Sequence, residues 1–167
     1  MKFKYLYILY FITGCSFYSF KGSIPPHINS VYISPIENHT IESSASEVIK
    51  IQLIGLQKNN QGYKDSGIEQ TWNFAHPDNK KNTGPLPNFK QMIKGRSYQM
   101  LINHISHTIT EVGSSDKWAQ FEVIILDQEK IYHKFNWQVE KYTKDGPLKD
   151  CWLTTMVSSP IPLGSSI

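Results

Sequence analysis

Between Ala119 and Val139 the chain alternates apolar and polar residues in steps of two. Ala119, Phe121, Val123 and Ile125 interleave with Gln120, Glu122 and Ile124. Beyond the turn Asp127-Gln128-Glu129, the residues Ile131, His133, Phe135, Trp137 and Val139 interleave with Tyr132, Lys134, Asn136, Gln138 and Glu140. A period of two sends successive side chains to opposite faces of a strand. Two such runs joined by a short polar turn predict an antiparallel hairpin with one apolar face. A second turn, Lys144-Asp145-Gly146-Pro147, precedes Cys151 to Val157, whose Trp, Leu, Thr and Met predict a third strand. Ile105 to Val112 predicts a fourth.

Upstream of these runs the period is helical. Ser44-Ala45-Ser46-Glu47 reads as a capping box. Val48, Ile49, Ile51, Leu53, Ile54 and Leu56 then form a wide apolar stripe, ended by Asn59-Asn60-Gln61-Gly62. Ser66-Gly67-Ile68-Glu69 reads as a second capping box, opening a short helix through Ile68, Trp72 and Ala75 that stops before Pro77. Asp78 to Gly84 is expected to be a polar loop, and Pro85 to Lys94 a third short helix with Phe89, Met92 and Ile93 on one side. Ser97 to Asn103 is one more turn or the lead-in to a strand. Helices first and antiparallel strands after them predict an α+β fold, with the helices on one sheet face.

The N-terminus has the layout of a secretory signal. Lys2 and Lys4 precede the unbroken apolar run Tyr5 to Ile12, and Ile12-Thr13-Gly14-Cys15 follows directly. That run is too short to span a bilayer, which takes about 20 apolar residues. ITGC resembles the bacterial lipobox, which implies cleavage before Cys15 and lipid on its sulphur. The Ser16 that follows resembles a lipoprotein allowed on to the outer membrane, facing the periplasm. The expected divisions are a signal peptide at 1–14, a tether at 15–42, a domain at 43–160 and a tail at 161–167. Within the tether Val31-Tyr32-Ile33 reads as a short extended piece, limited by Pro35. Net charge is +3, and +1 once Lys2 and Lys4 are removed, so no basic stripe argues for nucleic acid. There are two cysteines. If Cys15 carries lipid, Cys151 has no partner within the chain, which excludes a structural disulfide and a zinc site built on cysteines. Cys151 then reads as a small buried side chain.

Two stretches resemble known families. DSGIEQTWNFAHPDNKKNTGPLPNFKQMI, from Asp65 to Ile93, together with the later WQVEK and CWLTTMVSSP, resembles an uncharacterised domain family of plants, algae and bacteria. The resemblance covers about residues 45–160. It implies a nuclear-transport-factor-2-like (SnoaL-like) cone: three helices packed on a strongly bent antiparallel sheet. It implies a fold and not a reaction. YSFKGSIPPHINSVYISPIENHT, from Tyr18 to Thr40, resembles the opening of the lipopolysaccharide-assembly lipoproteins. The element order that should follow in that family is absent here. That second resemblance therefore implies an outer-membrane address, and only through the leader a role as an accessory of lipopolysaccharide assembly.

A cone closed by helices encloses a cavity, and its expected lining here is Trp72, Tyr98, Phe135, Trp137 and Trp152. The other reading of these aromatics is plain core. An enzyme on this fold would need a His or Asp base, and the candidates are His76, His104, His107 and Asp65. Asp65 at a helix start also reads as a cap. His104 and His107 are three apart, which puts them on opposite faces of a strand and together only on a helical turn. His133, in phase with Phe135, reads as a core or rim group. No nucleophile elbow, phosphate loop or HExxH motif is present. The reading is a lipid-anchored, non-enzymatic module that binds a small apolar ligand or acts as an interaction surface. The alternative is a cone-fold enzyme with a His or Asp base acting on a small hydrophobic substrate. No metal or cofactor is expected. The expected partners are the membrane, through Cys15, and a small ligand, and the chain is compatible with a homodimer.

Overall fold

The computed structural model describes residues 44–165, all within the unit Glu42–Ile167. Residues 1–14, expected as a signal peptide, Cys15, the Val31-Tyr32-Ile33 stretch expected to be extended, and residues 166–167 lie outside the described residues.

The first helix, α1 (Ala45–Gln57), starts where its cap chemistry says it should. Ser44 Oγ accepts the Glu47 amide at 3.3 Å. One side of α1 is buried through Val48, Ile49, Gln52, Leu53 and Leu56. The next helix, α2 (Ser66–Asn73), is not opened by a Ser66 capping box. Its N-cap is Asp65, in the left-handed region at φ 66°, with no side-chain cap bond. The Asp65 carboxylate instead meets Lys94 Nζ at 2.6 Å, and Ser66 Oγ donates to the Asn59 carbonyl at 3.0 Å.

Helix α3 (Pro77–Thr83) occupies the segment expected to be a polar loop. Pro77 suits a first helical turn because its missing N–H would have no partner there. The His76 Nδ1 caps the same turn by accepting from the Asp78 amide at 3.1 Å. Gly84, at φ 78°, ends it. Helix α4 (Leu86–Lys94) then buries Phe89 and Ile93, and a single 3₁₀ turn follows at Gln99–Leu101.

The strands are β1 (Ser106–Ser114), β2 (Trp118–Leu126), β3 (Ile131–Lys141), β4 (Trp152–Val157) and β5 (Ile161–Ser165). All pairings are antiparallel, in the order β1-β2-β3-β4. The segment expected as a tail is β5. It pairs with Ile131 to Lys134 of β3, while β4 pairs with Trp137 to Lys141 of the same edge. The described residues thus form an α+β fold with the four helices preceding the sheet.

The period-two reading is met in the register. Phe121 pairs with Trp137, Val123 with Phe135 and Ala119 with Val139, and all six are buried on one face. Helix α1 lies on that face and touches β1, β2, β3 and β4. It also crosses α2 at two glycines. A Cβ built on Gly67 would sit 1.9 Å from the Gly55 carbonyl oxygen, so only hydrogen fits there.

Candidate functional site

The helices and the sheet do not close completely. A partly open cavity of about 90 Å³ remains between α1, α2, α3, α4 and the inner sheet face. Its lining is apolar at Leu56, Ala75, Phe89, Met92, Ile93, Leu101 and Val157, and polar but uncharged at Gln52, Thr71, Asn79, Thr83 and Thr154. Tyr98 and Trp137 complete it.

The polar side is a directional hydrogen-bond chain. Trp137 Nε1–H donates to Thr154 Oγ1 at 3.2 Å, and Thr154 Oγ1–H donates to Gln52 Oε1 at 2.6 Å. Gln52 Nε2–H donates to the Thr71 carbonyl at 2.9 Å, and Thr71 Oγ1–H to the Gly67 carbonyl at 2.8 Å. Gln52 is 1% exposed and Thr154 2%. Burying an amide and a hydroxyl without partners would cost about 1–3 kcal/mol each, so the chain is what permits a polar wall here. It also joins α1, α2, β3 and β4 at one point. The Thr154 main chain adds further ties, its carbonyl accepting from the His76 amide at 2.8 Å and from Asn79 Nδ2 at 3.2 Å.

Of the aromatics expected to line the cavity, Tyr98 and Trp137 do so and the other three do not. Phe135 is fully buried behind Tyr98, their rings stacked at 6.5 Å. Trp72 is partly buried against the core, with Lys80 Nζ over its ring at 4.1 Å. Burial lowers the Lys80 amine below its usual range. Trp152 also packs on the core from outside the cavity. The contrast follows from depth: Trp137 lies mid-strand under α1, whereas Trp152 opens β4.

None of the four candidate bases reaches the cavity. His76 caps α3 and lies 5.4 Å from the Tyr142 ring. The hydrogen bond from Lys94 holds the Asp65 carboxyl below its usual range, with help from Asn59 against burial. His104 and His107, separated by the strand reading, are brought together. His104 precedes β1, so its ring is not bound by the strand alternation, and its Nε2 lies 2.7 Å from His107 Nδ1. His104 Nδ1 faces the Leu101 carbonyl at 2.7 Å. A carbonyl only accepts, so His104 carries its proton on Nδ1, and the lone pair at Nε2 accepts Nδ1–H of His107. Burial lowers the His104 ring; its hydrogen bond to Leu101 opposes this and His107 adds to it. Burial also lowers the His107 ring.

A histidine–aspartate pair escaped sequence reading. Asp127 Oδ2 meets His133 Nε2 at 2.7 Å, and Asp127 Oδ1 accepts the amides of Glu129 at 2.9 Å and Ile131 at 2.8 Å. Burial would raise the Asp127 carboxyl, but these amides and His133 outweigh it and hold the carboxyl below its usual range. The signal was an Asp opening a hairpin turn followed by an inward-phased His on the next strand. Among the described residues no group of three or more His, Cys, Asp or Glu side chains stands ready to hold a metal ion. Cys151, expected as a buried thiol without a partner, is disulfide-bonded; the chain's other cysteine is Cys15, outside the described residues.

No family model, curated protein or solved structure matches the chain.

Proposed function

We propose that this protein is an exported lipoprotein of the outer membrane, held at its periplasmic face by lipid on Cys15. Its domain would be a nuclear-transport-factor-2-like cone that binds a small uncharged ligand without transforming it. The observation that carries the binding reading is the chemistry of the cavity lining. The lining carries no carboxylate, imidazole, amine or thiol. A general acid or base must come within hydrogen-bond reach of the proton it moves, and none of the candidates does. An ionic ligand would be desolvated there with no counter-charge, which is costly. A neutral ligand with a polar atom toward Gln52 and Thr154 and an apolar body toward Phe89, Met92 and Ile93 fits both walls.

Size narrows the ligand further. Liquid water occupies about 30 Å³ per molecule, so 90 Å³ is the room of a few waters. Ligand pockets for larger molecules run to about 300–1,000 Å³. The cavity therefore suits a molecule of a few heavy atoms, or the neutral end of a longer one entering from the open side. Mass spectrometry of protein purified from its native membrane tests this. The expected result is a retained neutral molecule and a tryptophan fluorescence change when it is added back to stripped protein. Recovery of no ligand, with no fluorescence response to short alcohols and amides, overturns the binding reading.

The anchor has its own test. A thioether-linked lipid and a disulfide cannot share one sulphur. Lipidation of Cys15 therefore requires a mature protein in which Cys15 and Cys151 share no disulfide. An intact mass showing no lipid and a reducible Cys151 overturns the anchor.

A further inference from the structure

Residues 98–103 form one side of the cavity, since both Tyr98 and Leu101 line it. Three ties fasten this segment at its C-terminal end. The Asn103 amide donates to the Leu56 carbonyl at 2.9 Å, which ties it to the end of α1. Gln128 Nε2 donates to the Asn103 carbonyl from the β2–β3 turn. The third tie is the Leu101 carbonyl, taken by His104 Nδ1–H, with His104 held in turn by His107. Asn103 itself sits at φ 55°, a left-handed corner that Asn tolerates better than most residues. Leu101 is 1% exposed and His104 2%, so the cavity wall and its fastening are buried together.

We propose that residues 98–103 are a strap over the cavity, fastened by the His104–His107 pair at neutral pH and released when both rings of that pair carry an extra proton. The tautomers already set the order of events. With both rings neutral, protons lie on His104 Nδ1 and His107 Nδ1, and the remaining basic lone pair is His107 Nε2. An arriving proton binds there, because His107 is the more exposed ring. It leaves His107 Nδ1–H donating to His104 Nε2, now from a charged ring. A second proton has only His104 Nε2 to bind, and two cationic N–H groups then face each other. The pair parts, the His107 ring turns outward, and His104, a buried cation with no acceptor at Nε2, is drawn from the Leu101 carbonyl toward water.

Among the described residues no carboxylate acts on the pair. From α1 come the neutral Leu56 and Gln57, the latter donating to the Ile105 carbonyl at 2.8 Å. From the 3₁₀ turn comes Leu101. From β2 comes Ile125, the register partner of His107. Beyond Ile125 in the same row stands His133, whose acidic partner Asp127 is already bound to it. Glu111 shares the inner side of β1 by register but is exposed. Burial lowers both rings of the pair, which accords with a neutral state at pH 7. The sign follows: the folded rings bind protons less readily than the unfolded ones, so fastening is complete above about pH 6.5 and is lost as pH falls below it.

The consequence for ligand release rests on the cavity reading above, but the strap does not, and the test is chosen to separate them. Amide hydrogen exchange, corrected for the intrinsic pH dependence, is followed for the 98–103 segment at pH 7 and pH 5 without ligand. Each proton of linkage raises opening by up to about tenfold per pH unit, so a rise on the order of tenfold at residues 98–103 is expected, with β2 and β3 unchanged. In His107→Asn the side-chain amide donates to neutral His104 and, turned over, accepts from protonated His104, so the pair holds in both states and the rise should disappear. Equal protection at both pH values overturns the strap, as does a rise that survives in His107→Asn. Long-range nitrogen NMR of the wild-type rings guards against a variant that fails to fold: a proton on His107 Nε2 at pH 7 would overturn the proposal by itself. A strap that opens in a protein retaining no ligand would sink the binding reading alone.

Discussion

Two glycines meet where α1 crosses α2, and replacing each by alanine should have opposite effects. At Gly67 the new Cβ would lie 1.9 Å from the Gly55 carbonyl oxygen, 2.5 Å from its carbonyl carbon and 2.9 Å from Asn59 Cα. All three are backbone atoms, so no rotamer relieves the clash. Carbon contacts prefer about 3.5–4.0 Å, so α2 must back away by roughly 1.5 Å. That shift stretches the hydrogen bonds that pin the crossing. The Gly67 amide to the Asn59 carbonyl, the Ile68 amide to Asn59 Oδ1 and Ser66 Oγ to the Asn59 carbonyl are each 3.0 Å. Overpacking costs about 1–3 kcal/mol, and each lost bond about 1 kcal/mol. Alanine returns at most about 1 kcal/mol through helix propensity. The net expectation for Gly67→Ala is a loss of about 3–5 kcal/mol.

At Gly55 the nearest atom to a new Cβ is Gln70 Oε1 at 2.8 Å, the end of an exposed, flexible side chain. The Gly67 carbonyl oxygen at 3.4 Å is an ordinary contact. Gly55→Ala should therefore be neutral or stabilising by up to about 1 kcal/mol. Urea unfolding followed by circular dichroism and tryptophan fluorescence measures both. With a slope of about 1–3 kcal/mol/M, Gly67→Ala should move the midpoint down by roughly 2 M. A Gly67→Ala protein as stable as the wild type would refute the crossing geometry, and with it the placement of Gln52 and Thr71 against each other.

Three further outcomes are expected. Thr154→Val keeps the shape but leaves Trp137 Nε1–H and Gln52 Oε1 without partners, so urea unfolding should show a loss of about 2–4 kcal/mol. Asp127→Asn tests the β2–β3 turn: the carboxylate is held below its unfolded value, so its contribution is present above about pH 5 and lost as pH falls through the folded value. Wild type should exceed the variant by on the order of 1–3 kcal/mol at pH 7, the two converging in acid; parallel curves would remove Asp127 from the account. Cys15→Ser should release the protein from the membrane fraction or leave it uncleaved, and unchanged processing and membrane association would end the proposal of lipid on that cysteine.

How much of this was legible in the sequence depends on how local the physical cause is. The strands at 118–126 and 131–141 were readable because one face is buried and the other is not, and that asymmetry imprints a period of two. Helix α1 was readable from Ser44 and its apolar stripe. Helix α3 was missed because it buries no residue, so no stripe exists, although Pro77 and Gly84 marked its ends. Strand β5 was missed for the same reason, every residue in it being exposed. Both are placed by hydrogen bonds, which leave no hydrophobic pattern.

The sequence by itself determined α1 with its cap, the long strands β2 and β3 and the apolar sheet face, all effects of residues within a few positions of one another. The tertiary structure alone decided the site. Gln52 and Thr154 are 102 positions apart and become a pair only when β4 is in register with β3 beneath α1. The spacing of His104 and His107 left two arrangements open, opposite faces on a strand or together on a turn; His104 follows the 3₁₀ turn and precedes β1, and its ring turns back to His107. Burial of an apolar side chain tolerates many neighbours and is written into composition. A buried hydrogen bond demands one partner at about 3 Å, and which partner arrives there is a property of the register and the helix crossing.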